Sequence, residues 1–286
     1  MGRFARSWEL VKLCWQVLQQ DKELIVFPIV STIGVLIVTA SFVIPGFFTG
    51  FWQGVSDNGA GAGLWVLIVL FYLVEYLVII FFNAALVSAA IIRLEGGDPT
   101  LGDGLRGAWS HIGAILGWAA ISATVGLVLQ ALRERGGIGG AIVAALGGMA
   151  WNVITFLVIP VLVVEDVNPI EGIERSASLL KGTWGEQIIG NAGFGLIFGL
   201  IGAAISVVGV ALGELVINSG ATSAGVAIIV VTVLAILVVS MISATLRGIY
   251  SAALYQYAVG GDSGVIGQDA LAGAFRPKST RSPFVR

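Results

Sequence analysis

The chain has 286 residues, of which 57% are hydrophobic and 11% charged, where a soluble domain usually carries about a quarter charged. A net charge of −2 makes no electrostatic case for nucleic acid as a partner, and a single cysteine, Cys14, excludes an intrachain disulfide or a cysteine-built metal cluster. What remains is an integral membrane protein, whose length is best divided by the roughly 20 apolar residues that cross a bilayer.

Residues 3–20 place Phe4, Trp8, Val11, Trp15 and Leu18 at helical spacing, with Arg3, Arg6, Glu9, Lys12 and Gln16 off that stripe. The pattern predicts an amphipathic helix lying in the membrane interface, with its tryptophans at headgroup depth. Charges at Glu9, Lys12, Asp21, Lys22 and Glu23 interrupt the start too often for a signal peptide, so the first span is expected to stay in the mature protein. That span is 24–48, with Pro28 and Pro45 near its two ends. A polar, glycine-rich loop between Trp52 and Trp65 follows it.

The second span, 64–92, holds Glu75 and Asn83. Gly96 and Gly97 are expected to end it, Asp98 to cap the next helix and Pro99 to take its first position, with Leu101, Leu105, Trp109 and Ile112 along one side. A third span over 112–132 and a fourth over 138–164, carrying Asn152 and Pro160, are joined by a tight charged turn at 133–137. Then comes EDVNPIEGIERSASLLKGTW at 165–184, where Asn168 reads as the cap, Pro169 as the first helical residue, and Ile170, Ile173, Ala177, Leu180 and Trp184 as the apolar stripe. The fifth span, 188–217, is punctuated by glycine and includes Asn191, and the sixth, 224–250, can continue to Tyr257. Residues 263–286 read as a flexible basic tail. The expected fold is all-α: one membrane domain over 1–262, a polytopic bundle of six transmembrane helices.

With the N-terminus inside, every Lys and Arg except Arg133 and Arg135 falls on the cytoplasmic side. The positive-inside rule therefore places both termini in the cytoplasm of a multi-pass plasma-membrane protein.

The segment at 165–184 has partial copies. Glu95-x-x-Asp98-Pro99-x-x-Gly102 matches Glu165-x-x-Asn168-Pro169-x-x-Gly172, and Arg6-Ser7-x-x-Leu10-x-Lys12-x-x-Trp15 matches Arg175-Ser176-x-x-Leu179-x-Lys181-x-x-Trp184. Leu105-Arg106-Gly107-Ala108-Trp109 joins the middle copy to the others. In each pair, Lys12 with Trp15, Arg106 with Trp109 and Lys181 with Trp184, a cation lies three residues before an indole. The spacing sets both on one helix face, the cation toward phosphate and the ring at the interface. The expectation is three units, about 3–94, 95–164 and 165–260, each an interfacial helix followed by a transmembrane hairpin.

On RSWELVKLCWQVLQQDKELIVFPI, FFNAALVSAA and TFLVIPVLVVEDVNPIEGIERSASLLKGTWGEQIIGN, the chain resembles an uncharacterised bacterial and archaeal family of membrane proteins, known as a domain of unknown function. The resemblance covers about 3–257. It is more distantly similar to membrane domains attached to some glycerophosphodiester phosphodiesterases. These likenesses imply a six-span bundle and supply no activity.

Among polar candidates Glu75 is the sharpest, ten residues past Trp65 and so about 15 Å along a helix, near the bilayer midplane. Intramembrane carboxylates often mark ion pathways. Its bland role is a hydrogen-bonded lock between helices, with Asn83, Gln130, Asn152, Thr155 or Asn191 as partner. Asn83, Asn152 and Asn191 themselves read as interhelical glue. Gly195-x-x-x-Gly199 and Gly209-x-x-x-Gly213 permit close helix approach, and are compatible with a homo-oligomer or a protein partner. His111 has no second ligand beside it, and Glu165, Asp166, Glu171 and Glu174 suit the dipole of a helix start. No catalytic group, metal site or cofactor is expected. The leading function is a non-enzymatic scaffold or lipid-interacting protein whose partners are membrane lipids, anionic ones included. The alternative is a transporter or channel with Glu75 in a polar path.

Overall fold

A computed structural model of the chain describes residues 3–48, 61–184 and 193–260. The glycine-rich loop after Phe48, Asn191 and the basic tail lie outside the described residues. Ten α-helices run through the described residues: α1 Arg3–Gln20, α2 Val26–Phe48, α3 Ala62–Leu94, α4 Leu101–Ser110, α5 Ile112–Arg135, α6 Gly137–Ile154, α7 Val158–Val164, α8 Pro169–Trp184, α9 Gly193–Asn218 and α10 Thr222–Ala258. Among the described residues six stretches are long and apolar enough to cross a membrane: Lys22–Phe48, Gly63–Leu94, Ile112–Arg135, Gly137–Val164, Ile197–Asn218 and Thr222–Ala258.

Local chemistry sets most of the boundaries. Asp21 Oδ1 accepts the Glu23 N–H at 3.2 Å, which starts a 3-10 turn over Lys22–Ile25 that leads into α2. Pro28 falls in the first turn of α2, where its missing N–H would have had no intrahelical partner. Gly96, at φ +86°, takes the left-handed conformation that closes α3. Asn168 caps α8 as its sequence suggests: its Oδ1 accepts the N–H groups of Ile170 and Glu171, both at 3.0 Å. Glu171 accepts the Asn168 N–H in return at 3.2 Å.

Two boundaries differ from the sequence expectation. Asp98 does not cap the short helix after α3. Thr100 does, in a capping box in which its hydroxyl accepts the Asp103 N–H while Asp103 accepts the Thr100 N–H. The Thr100 hydroxyl also donates to the Asp103 carboxylate at 2.6 Å, and that bond, with the one from the Thr100 N–H, holds the carboxyl below its ordinary pKa. The second difference is that the fourth span is not one helix. It stops at Ile154 and restarts at Val158, because Pro160 has no N–H for the carbonyl four residues back and its ring crowds that carbonyl.

The core sits at one end of the bundle, the end at which α1 docks on α10. There α1, the C-terminal parts of α3 and α10, and α7 and α8 bury Cys14, Leu24, Leu86, Leu94, Leu157, Leu162, Ile249 and Leu254. With 33 and 37 residues, α3 and α10 are about 50 and 55 Å long, well beyond the ~30 Å hydrocarbon core. Toward the other end the helix surfaces are apolar and exposed, as at Val66, Leu70, Leu215, Val230 and Leu234, which is what lipid-facing helices require.

Candidate functional site

The helices α1, α4 and α8 each bury one face against the bundle, and α1 and α4 also expose apolar side chains on the other. In α1 the bundle receives Leu10, Val11, Cys14, Val17 and Leu18, while Trp8 and Trp15 remain exposed. Of the stripe read from spacing, Phe4-Trp8-Val11-Trp15-Leu18, Val11 and Leu18 lie on the buried face and Trp8 and Trp15 do not, while the side chain of Phe4 lies outside what is described. In α4 the small residues Gly104 and Ala108 are buried, and Leu105, Arg106 and Trp109 point away. A Cβ on Gly104 would press on Phe27 and on the carbonyl of Ala85 at 2.7 Å, so α4 lies directly against α2 and α3. In α8 Gly172, Ser176, Leu179 and Leu180 face inward and Ile170 is exposed. Lys12 with Trp15 at 41% exposure, and Arg106 with Trp109 at 69%, share the outward face. Lys181 is exposed as well; the side chain of Trp184 lies outside what is described.

Polar side chains join these helices to the last one. Glu165 accepts from Arg175 Nε at 2.9 and 3.0 Å and from the Tyr255 hydroxyl at 3.0 Å. Glu95, which the sequence aligns with Glu165, accepts from the side-chain amide of Gln256 at 3.3 Å. The two glutamates thus grip neighbouring positions of α10, a role different from the helix-start electrostatics expected of Glu165. Arg93 reaches the Gly97 carbonyl and Asp98, each at 3.2 Å. Asp21, 6% exposed, has one carboxylate oxygen on the Glu23 N–H and a second without a hydrogen-bond partner. Burial pushes its pKa up, opposed by that N–H and by the charge of Arg93. His111 sits at the junction of α4 and α5, its Nδ1 2.9 Å from the Gly107 carbonyl and its Nε2 3.9 Å from Asp166.

Glu75 is half-buried, and its partner is a residue the sequence did not single out: Thr39 of α2 donates its hydroxyl to Glu75 Oε1 at 2.7 Å. Of the partners expected, Gln130 instead meets Tyr72 at 2.7 Å and Glu134 at 2.8 Å, and the Thr155 hydroxyl turns to the Trp151 carbonyl. Asn83 packs near Gly248 of α10, and Asn152 is exposed. The structure does not bring Glu75, Asn83 and Asn152 together in one hydrogen-bonded set.

The break in the fourth span has its own seal. Ser176, fully buried, donates to the Ile154 carbonyl at 2.6 Å and accepts the Leu157 N–H at 3.1 Å. One hydroxyl of α8 thereby satisfies a carbonyl and an amide that the broken ladder leaves free, as nonhelical backbone at membrane depth demands. Sequence reasoning noted Ser176 only as an identity within the repeat.

Among the described residues no three His, Cys, Asp or Glu side chains converge as a metal site would need. Cys14 is fully buried and burial raises its thiol pKa, so little reactive thiolate forms. The arrangement defines a multi-pass helical membrane protein with a packed end built from short helices. The chain belongs to DUF6159, a family of unknown function, whose sequence profile matches residues 62–265. No curated protein and no solved structure matches it.

Proposed function

We propose that this protein is a non-enzymatic, lipid-interacting membrane scaffold that α1, α4 and α8 anchor to the cytoplasmic leaflet of the plasma membrane. The observation that carries this reading is the outward pairing of Lys12 with Trp15 and Arg106 with Trp109, on helices whose opposite faces are buried against the bundle. A helix already satisfied by protein on one side has no internal need for an exposed indole on the other, whereas the headgroup region is where such rings and cations gain most. The proposed architecture is three units of short helix plus hairpin, with both termini cytoplasmic.

The transport alternative draws on Glu75 and on the broken fourth span. Both have structural occupations, Glu75 with Thr39 and the break with Ser176, so lipid anchoring is the better-supported reading. Its test is the stability of the purified protein in nanodiscs of increasing anionic lipid content. Stability should rise with anionic fraction, and the rise should shrink when Lys12, Arg106 and Lys181 are all changed to Gln. Indifference of the unaltered protein to lipid charge would count against it.

A further inference from the structure

The glycine stripe of α9 is not uniform. Near the far end it packs tightly: a Cβ on Gly209 would run into Thr232, and one on Gly213 would meet Ile229 at 2.6 Å. Toward the α1 end the same stripe faces open space, since a Cβ on Gly199 or Gly202 would meet nothing within 4 Å, and one on Gly195 only the guanidinium of Arg247 at 3.9 Å. Close approach explains the first set of glycines and leaves the second without a packing partner. Between them and α10 runs a cleft of about 420 Å³, lined by Gly195, Gly199, Gly202, Ser243 and Arg247 among others.

Two features of this cleft point to a ligand. Ser243 is 5% exposed, lines the cleft, and its hydroxyl has no hydrogen-bond partner, an arrangement that buried hydroxyls ordinarily avoid. One turn along α10, Arg247 closes the cleft's α1 end, and no carboxylate among the described residues pairs with it. Its guanidinium lies over Gly195 of α9.

Dimensions select the occupant. From Arg247 to Ile236, the two ends of the α10 wall, is 11 residues, about 16 Å and so about half the ~30 Å hydrocarbon thickness. Arg247 stands 25 residues beyond Thr222, the start of α10, about 37 Å and therefore at headgroup level if that start lies at the opposite surface. The cleft has a cation at the surface, a hydroxyl one turn below it and a trough about one leaflet deep, walled by small and apolar residues together with Ser206 and Ser240.

We infer that the cleft between α9 and α10 binds one anionic phospholipid, its phosphate on Arg247, its ester region at Ser243 and an acyl chain along Gly199 and Gly202. Arginine suits the phosphate because it offers several N–H donors in a planar fork. This site uses none of the residues assigned to anchoring, so it stands or falls separately from that reading.

Native mass spectrometry of the full-length protein in detergent tests it, with phosphatidylglycerol, phosphatidylcholine, diacylglycerol and inorganic phosphate added in turn. One phosphatidylglycerol per chain should bind in preference to the zwitterionic and uncharged lipids. Arg247→Gln should weaken that binding about tenfold or more, as loss of a charge-assisted bond implies, and Arg247→Lys should recover part of it. Gly202→Leu, whose Cβ meets nothing within 4 Å and whose longer side chain enters the trough, should weaken it comparably while leaving Arg247 in place, and Arg106→Gln should not. The inference is overturned if Gly202→Leu binds like the unaltered protein, if Arg106→Gln matters as much as Arg247→Gln, or if inorganic phosphate competes as well as the lipid does.

Discussion

Tyr255 donates its hydroxyl proton to Glu165 at 3.0 Å, and the next residue of α10, Gln256, donates to Glu95 at 3.3 Å. Two acids 70 positions apart in sequence, each just before a short helix, thus hold the same turn of the last helix. The Tyr255 bond ends on a carboxylate that Arg175 also engages, and bonds to charged acceptors are the stronger kind. Tyr255→Phe should therefore cost about 1.5 kcal/mol of unfolding free energy in mixed micelles. In a double-mutant cycle Tyr255→Phe should couple to Glu165→Ala by about 0.5 kcal/mol or more and add simply to Glu95→Ala.

Ser176→Ala should expose the weakness of the fourth span. It removes the donor to Ile154 and the acceptor for Leu157 in one step, and unsatisfied buried groups cost about 1–3 kcal/mol each. Hydrogen exchange should speed up at the Leu157 amide. The Val161 amide, bonded to Leu157 within α7 at 3.1 Å, should keep its protection.

The divided glycine stripe predicts opposite responses to the same change. Gly209→Ala drives a methyl group into Thr232, whose Cβ would lie 2.7 Å away, and overpacking of this kind costs about 1–3 kcal/mol. Gly199→Ala meets nothing and should leave stability unchanged or raise it by about 0.5–1 kcal/mol through helix propensity. Thermal melts of the two variants in one detergent make the comparison.

Asp21 should give the packed end an acid-side pH dependence. Its folded pKa is raised by burial, so the folded state binds the proton more tightly than the unfolded chain. The resulting stabilisation is fully present below the ordinary carboxylate pKa and is lost as pH rises through the raised value. Asp21→Asn cannot titrate. The melting temperature of the unaltered protein minus that of Asp21→Asn should fall as pH is raised across that window.

How much of this was legible in the sequence depended on what the signal measured. Hydropathy locates the six apolar stretches because each must outweigh the desolvation of its backbone over a whole bilayer. The Asn168-Pro169 start of α8 was readable because a cap acts within three residues. Hydropathy is blind, however, to the ladder bond that Pro160 removes, so the fourth span looked continuous. Thr100 prevailed over Asp98 as a cap because it stands three residues before Asp103, which completes the box. In α1 both faces are apolar, and spacing alone chose the one with tryptophan, whereas packing buried the face of Leu10, Cys14 and Val17. Partners distant in sequence, Thr39 for Glu75 and Tyr255 for Glu165, leave no mark on local pattern at all.

The central claim is that the short helices turn an aromatic, cationic face to lipid headgroups, and the depth of Trp15 and Trp109 tests it most directly. In proteins retaining one of these two as the only tryptophan, fluorescence quenching by lipids brominated along the acyl chain should place both indoles at the interface. Quenching should be strongest for bromines nearest the headgroup and weaken toward the chain end. Strongest quenching near the bilayer centre, or none from any lipid, would contradict the account.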